Sequence, residues 1–245
     1  MPDNGASKPS LSNKIALVTG GTRGIGYAIA ERLLREGMKI AICGAHQASV
    51  DRAITQLSTK GNVTGAVTDV SKASAVKELI SHVHKTLGGI DVLVNNAGAG
   101  TFRPVAEMSP DQWDRMISLN LSGAFYCCHE VLPIFLQRGG GYVINISSLA
   151  GKNPFAGGAG YNASKFGLNG FSEALMLDHR HDGVRVSSIM PGSVATEFGG
   201  GQADAGADWK IASEDIAEVV VTLLQMPLRS TVSAVEIRPS RPPRK

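Results

Sequence analysis

Short, β-branched-rich apolar runs alternate with helix-length segments from residue 14 almost to the C-terminus, and that rhythm leaves few architectures open. The run at 14–18 is apolar at successive positions after Lys14, and 39–43, 63–67, 92–94, 142–146, 184–189 and 232–237 are read as six further strands. Strands buried on both faces of a parallel sheet read this way. Between them lie segments with helical character: 27–36 stopped by Gly37, 48–58, a Ser71-capped segment to about 87, 160–180, and 213–224. Ser109, Pro110 and Asp111 form a strong helix start, and that helix is expected to run past Asn120 towards Arg138 with a bend at Pro133. Strict β/α alternation with no second pattern predicts one doubly wound α/β domain with a mostly parallel seven-stranded sheet flanked by helices.

The first strand leads into Thr19-Gly20-Gly21-Thr22-Arg23-Gly24-Ile25-Gly26, and a helix follows. A strand, a glycine-rich turn and a helix set a pyrophosphate against backbone N–H groups at a helix N-terminus. The spacing, with glycines at 20, 24 and 26, differs from the general G-x-G-x-x-G fingerprint, so context must confirm it.

The chemistry centres on Tyr161 and Lys165, four residues apart and therefore one turn from each other on the same helix face. A free phenol titrates near 10, and a cation within about 4–6 Å favours its phenolate. The pair is expected to make a tyrosine that exchanges protons near neutral pH, as a carbonyl/alcohol reaction requires.

Together, Thr19-x3-Gly-Ile-Gly, Asp69-Val70, Asn95-Asn96-Ala97-Gly98, Asn120, Ser148, Tyr161-x3-Lys165 and Pro191-Gly192 resemble the short-chain dehydrogenase/reductase family over residues 14 to about 225. Thirteen residues separate Ser148 from Tyr161, the spacing such enzymes show. The resemblance implies a Rossmann-like fold and a catalytic set of Asn120, Ser148, Tyr161 and Lys165. Tyr161 would exchange a proton with the substrate oxygen, and Ser148 would hydrogen-bond that oxygen. Ser147 is its rival, disfavoured by the spacing. Lys165 would lower the tyrosine's pKa and hold the nicotinamide ribose. The backbone carbonyl of Asn120 would serve a proton relay to solvent.

For the cofactor, the resemblance implies that Gly20, Thr22, Arg23, Ile25 and Gly26 wrap phosphates and ribose, and that Asp69 and Val70 meet the adenine. Asn96, Ala97 and Gly98 would form the floor, and Pro191, Gly192, Val194 and Thr196 would embrace the nicotinamide. An NAD-selecting site places a carboxylate at the end of the second strand. Cys43-Gly44-Ala45-His46 has none, and Arg23 can reach a 2′-phosphate. NADP(H) is therefore favoured, with NAD(H) the alternative. The expected reaction moves a hydride between nicotinamide and a ketone or secondary alcohol, such as a 3-oxoacyl or hydroxy-acid compound. The alternative is a catalytically silent dinucleotide-binding sensor or scaffold.

The remainder of the chain narrows the setting. A polar tail over 1–13 without an apolar signal core, and no apolar run near the ~18–20 residues of a membrane span, predict a cytoplasmic protein with no membrane partner. Net charge is +3 and dispersed, which argues against nucleic acid, and three cysteines and six unclustered histidines predict no metal site. The domain is expected over 14–238, followed by a basic, proline-rich tail at 239–245. Phe102, Phe155, Phe198 and Trp209 are the large apolar candidates for the substrate site, with Lys152 the cation that an anionic substrate could meet. Residues 197–209, rich in glycine, alanine and aspartate, are expected to form a lid. The apolar face of the Tyr161 helix, with Phe166, Leu168, Phe171, Leu175 and Met176, predicts a homo-oligomer, a tetramer or dimer.

Overall fold

A computed structural model describes residues 8–196, 198 and 208–243. The apolar runs form seven strands: β1 (Ile15–Thr19), β2 (Lys39–Gly44), β3 (Val63–Val67), β4 (Val92–Asn95), β5 (Gly141–Ile146), β6 (Val184–Pro191) and β7 (Ala234–Ile237). They make one sheet in the order β3-β2-β1-β4-β5-β6-β7, and among the described residues every pairing within it is parallel. The expectation of a mostly parallel sheet thus resolves as fully parallel. The chain order reverses direction between β1 and β4, and doubly wound sheets bind ligands in the crevice at such a switch point.

The continuous apolar runs follow from helices on both faces. Along β1, Ala16 and Val18 face one layer and Leu17 the other; β2 divides Ile40 and Ile42 from Ala41 and Cys43 in the same way. On the first face pack α1 (Gly24–Arg35), α2 (Gln47–Leu57) and α7 (Ser213–Leu224), through Ile29, Leu33, Leu57 and Val220. On the second pack α3 (Ala73–Leu87), α5 (Gly123–Gln137) and α6 (Ala159–His179), through Val76, Val131, Phe135 and Leu175. Each fully buried Leu, Ile or Val contributes about 1.5–3 kcal/mol.

Two helix boundaries depart from expectation. The Ser71 hydroxyl does not cap α3; it donates to Asp69 Oδ1 at 2.7 Å, and the N-cap residue is Lys72, without a side-chain bond. The helix begun by Ser109 does start as predicted, with a capping box in which Ser109 Oγ accepts from Gln112 N and Gln112 Oε1 from Ser109 N. It is interrupted well before Pro133. After α4 (Pro110–Ile117), one π-turn over Ser118–Ser122 precedes α5, and Pro133 lies inside α5.

The whole run Pro110–Gln137 is, by length and composition, long and apolar enough to cross a membrane. Its α5 portion instead sets Cys127, Val131 and Phe135 in the core against the sheet. All three cysteines are buried free thiols, and burial pushes Cys43 and Cys128 up to about 12, so they are inert at neutral pH.

Candidate active site

The end of β5, the turn that follows it and β6 pack against α6. Tyr161 and Lys165, one turn apart on that helix, are both buried, at 9% and 5% exposure. Ser148 follows β5, and its hydroxyl is hydrogen-bonded with the Tyr161 phenol. Ser148 Oγ also accepts from Ala150 N at 3.1 Å, which fixes its rotamer. The rival Ser147 is turned away, its hydroxyl aimed at the Lys165 carbonyl of α6 at 3.5 Å. Adjacent residues at a strand end point to opposite sides, and only Ser148 meets the tyrosine.

Lys165 Nζ donates to the Ile146 carbonyl at 2.8 Å and lies 5.8 Å from the centre of the Tyr161 ring. Burial lowers the lysine from its usual 10.5 to about 8. Burial also raises the Tyr161 phenol above 10.0, and the Ser148 hydrogen bond only partly offsets it. This reverses the expected direction: desolvation of the phenolate outweighs the neighbouring ammonium, which is itself desolvated and bonded elsewhere. A phenol held protonated at neutral pH is suited to giving its proton to a carbonyl oxygen.

Asn120 lies in the π-turn at 2% exposure, and its side chain explains the break in the helix. Oδ1 accepts from Ala99 N at 2.8 Å, while Nδ2 donates to Ala99 O at 2.9 Å and to Ser164 Oγ at 3.0 Å. Ser164 in turn donates to the Tyr161 carbonyl at 2.8 Å. One amide therefore ties the loop after β4 to the helix carrying the tyrosine. π-Bulges of this kind are found at functional sites.

The phosphate turn is built by mutual packing. Gly20 has φ +62°, and a Cβ on Gly26 would run into its carbonyl oxygen and into the Asn96 amide. Asn96 Nδ2 donates to the carbonyls of Thr19 (3.0 Å) and Gly20 (3.1 Å). Thr19 Oγ1 accepts from the N–H groups of Asn96 and Ala97 at 3.0 and 3.1 Å. Sequence reasoning had not singled out Thr19 and Ser164 as site residues, although Thr19 opens the glycine motif and Ser164 stands between Tyr161 and Lys165. The first turn of α1 has neither a side-chain cap nor an acidic residue, which leaves its N–H groups to an anion and fits a dinucleotide's phosphates. Ile25 packs against the first core layer behind the turn. Gly44, at the end of β2, sits against Thr22, whose methyl a Cβ there would approach to 2.7 Å, so the phosphate turn adjoins the carboxylate-free end of that strand.

The other expected cofactor residues lie at or just beyond the carboxyl ends of β3, β4 and β6. Asp69 is exposed, its carboxylate engaged by the N–H and hydroxyl of Ser71, and Val70 is buried in the second core layer. Gly98 faces the Asn120 amide. Pro191 ends β6, and Gly192 N donates to Ile237 O at 2.8 Å. Val194 makes a bridge with Ile211, and the Thr196 methyl lies beside Gly24. Of the large apolar candidates, Phe102, Phe155 and Phe198 gather at Tyr161, whereas Trp209 has Lys210 Nζ 5.8 Å from its ring centre. Lys152 is engaged by Glu236 Oε1 at 2.5 Å. Of the expected lid, residues 197 and 199–207 lie outside the described residues. Among the described residues no group of His, Cys, Asp and Glu could hold a metal ion.

Comparison with known proteins agrees with this geometry. The model of a family described as short chain dehydrogenase matches residues 14–205. An uncharacterised oxidoreductase of Staphylococcus saprophyticus is 34% identical over 231 residues, covering 94% of this chain and 98% of the relative. Among solved structures, a metagenomic short-chain oxidoreductase in complex with NADP is 35% identical with a TM-score of 0.83, over 96% of this chain and 100% of that one. An alcohol dehydrogenase from the archaeon Thermococcus sibiricus, complexed with 5-hydroxy-NADP, is 29% identical with a TM-score of 0.89 and the same coverage.

Proposed function

This chain belongs to the short-chain dehydrogenase family of NAD(P)-dependent oxidoreductases, and from that membership we propose that it transfers a hydride between NADP(H) and a ketone or secondary alcohol. The observation that carries the proposal is the hydrogen bond between Ser148 and the buried Tyr161 phenol, beside Lys165 at the carboxyl ends of the strands.

Gly20, Thr22, Arg23, Ile25 and Gly26 would hold the cofactor's phosphates and ribose, Asp69 and Val70 its adenine, and Asn96, Ala97 and Gly98 its floor. Pro191, Gly192, Val194 and Thr196 would hold the nicotinamide. The bound cofactor supplies or takes up the hydride. In reduction, Tyr161 Oη gives its proton to the substrate oxygen as negative charge develops there, and Ser148 Oγ donates a hydrogen bond to that oxygen. Lys165, at about 8 largely protonated at neutral pH, holds positive charge beside the phenolate that remains and helps its reprotonation. Asn120 positions the tyrosine helix through Ser164. The 2′-phosphate preference rests on Arg23 and on the carboxylate-free end of β2, and the NADP-bound neighbours support it.

Within this reaction class the sequence raised 3-oxoacyl and hydroxy-acid compounds. Lys152, the cation that a free carboxylate could meet, is paired at the surface with Glu236, a pairing that favours neither class. The alternative of a silent dinucleotide sensor calls for a broken catalytic set, and convergence of Asn120, Ser148, Tyr161 and Lys165 speaks against it. We also infer a homo-oligomer. Phe125 and Phe166 on the outer faces of α5 and α6 are 46% and 44% exposed, and Phe171 lies 6.1 Å from Phe125 between ring centres. Leu168 and Leu175, expected on that face, are buried against the chain's own core.

The test is Tyr161→Phe, which keeps the ring and removes the proton. NADPH binding by fluorescence titration should persist, while ketone turnover falls by about 10²–10⁴. A variant that kept most of its activity would remove Tyr161 from this role.

A further inference from the structure

Three loops, each following a different strand, bring one phenylalanine to the catalytic tyrosine: Phe102 after β4, Phe155 after β5 and Phe198 after β6. Phe102 meets the Tyr161 ring edge-on, with centres 5.6 Å apart at 84°. Phe198 meets it at 5.6 Å and 54°. Phe102 and Phe155 are themselves 5.6 Å apart at 56°. Gly100 lies under this contact; a Cβ there would come within 2.8 Å of both Phe102 Cζ and Phe198 Cε1, so a larger residue would push the two rings aside.

Tyr161 is 9% exposed, yet Phe102, Phe155 and Phe198 are 46%, 46% and 43% exposed. Phe102 and Phe198 pack against the Tyr161 ring and Phe155 packs against Phe102, and all three leave much of their surface to water, forming an apolar wall adjoining the reaction centre. Pockets of this kind are apolar with a few placed polar groups, and here those groups are Tyr161 and Ser148. Offset and edge-to-face packing makes such a cluster receptive to a further flat ring.

We propose that the Phe102–Phe155–Phe198 cluster over Tyr161 is a specificity subsite for an uncharged aryl ketone, or the corresponding secondary aryl alcohol. This rests on the reading of the chain as a ketone reductase and narrows its substrate class. The aryl group lies against the phenylalanines while the carbonyl oxygen reaches Tyr161 and Ser148. Reduction keeps the balance already given: the carbonyl carbon gains a hydride from NADPH, the oxygen gains the tyrosine proton, and the products are a secondary alcohol and NADP⁺.

The experiment compares kcat/KM of the full-length enzyme with NADPH for 2-acetylnaphthalene, butan-2-one and acetoacetate. One methylene in an apolar pocket is worth roughly 10–200-fold, so the naphthyl ketone should exceed butan-2-one by at least about 100-fold and acetoacetate by more. Phe102→Ala and Phe198→Ala should each shrink the ratio of naphthyl ketone to butan-2-one by about tenfold or more. Phe102→Leu, which keeps apolar bulk, should restore part of it. The substituted side chains are half exposed, and thermal melts confirm that each variant is folded.

If butan-2-one or acetoacetate is reduced as well as the naphthyl ketone, or if the alanine variants leave the ratio unchanged, the subsite is wrong while the reductase reading stands. If no ketone is reduced by an enzyme that binds NADPH, the reductase reading fails and the subsite with it.

Discussion

Replacing Lys165 with methionine should inactivate the enzyme and, at neutral pH, make the protein without bound cofactor more stable. In the folded state burial lowers this lysine from 10.5 to about 8. At 1.36 kcal/mol per pKa unit, the charged side chain costs the fold about 3 kcal/mol relative to the unfolded chain. The sign follows from proton binding. Below about pH 8 both states carry the proton and the full cost is present. Between about 8 and 10.5 only the unfolded state retains it, so stability of the native enzyme rises with pH; above that the cost is gone.

Methionine removes the charge and keeps an unbranched stem, but it leaves the buried Ile146 carbonyl without the 2.8 Å bond from Nζ. That loss costs about 1–3 kcal/mol. The net gain at pH 7 is then about 1 kcal/mol, or about 2–4 °C in Tm for a chain of this size. The assay is thermal unfolding by circular dichroism of both proteins from pH 6 to 10.5, without cofactor, alongside turnover with NADPH. The Tm difference should shrink and then reverse as pH rises, because the native enzyme alone gains. A variant less stable at every pH by a constant margin would refute the argument that the buried ammonium strains the fold.

Other consequences can be checked singly. Arg23→Ala should raise KM for NADPH at least tenfold while altering KM for NADH little, and equal effects on both would remove the 2′-phosphate role. Asp91 is half-buried; burial pushes its carboxyl up, but Arg138, the Ile15 N–H and Lys14 outweigh this and hold it below the usual 3.8. Asp91→Asn should therefore cost about 1–3 kcal/mol at pH 7 in denaturant titrations. That difference should be fully present above about pH 4 and vanish as pH falls through the lowered pKa; one that persists at pH 2 would refute the ion-pair origin. Phe171→Glu should yield smaller species by light scattering, with reduced turnover, and a native enzyme that is monomeric at micromolar concentration and fully active would end the oligomer proposal.

Much of this molecule is legible in the chain itself because the determining physics is local. A strand covered on both faces must be apolar at successive positions, so Ile15–Thr19 and Val92–Asn95 announce a parallel sheet before any fold is seen. Ser109 and Gln112 close their capping box within four residues. Four residues of helix place Lys165 beside Tyr161 whatever surrounds them.

Where partners come from distant segments, the chain alone could not decide. The helix breaks at Asn120 rather than at Pro133 because the Asn120 amide finds Ala99 and Ser164, 21 and 44 residues away. Ser148 rather than Ser147 meets the tyrosine because the end of β5 is presented to α6 in one register only. The proton affinity of Tyr161 went the opposite way from its sequence neighbour's influence. A cation one turn away is written in the sequence, but the loss of water around the phenol is the work of the fold. Desolvation depends on every segment that closes over a group, and those segments meet only in three dimensions.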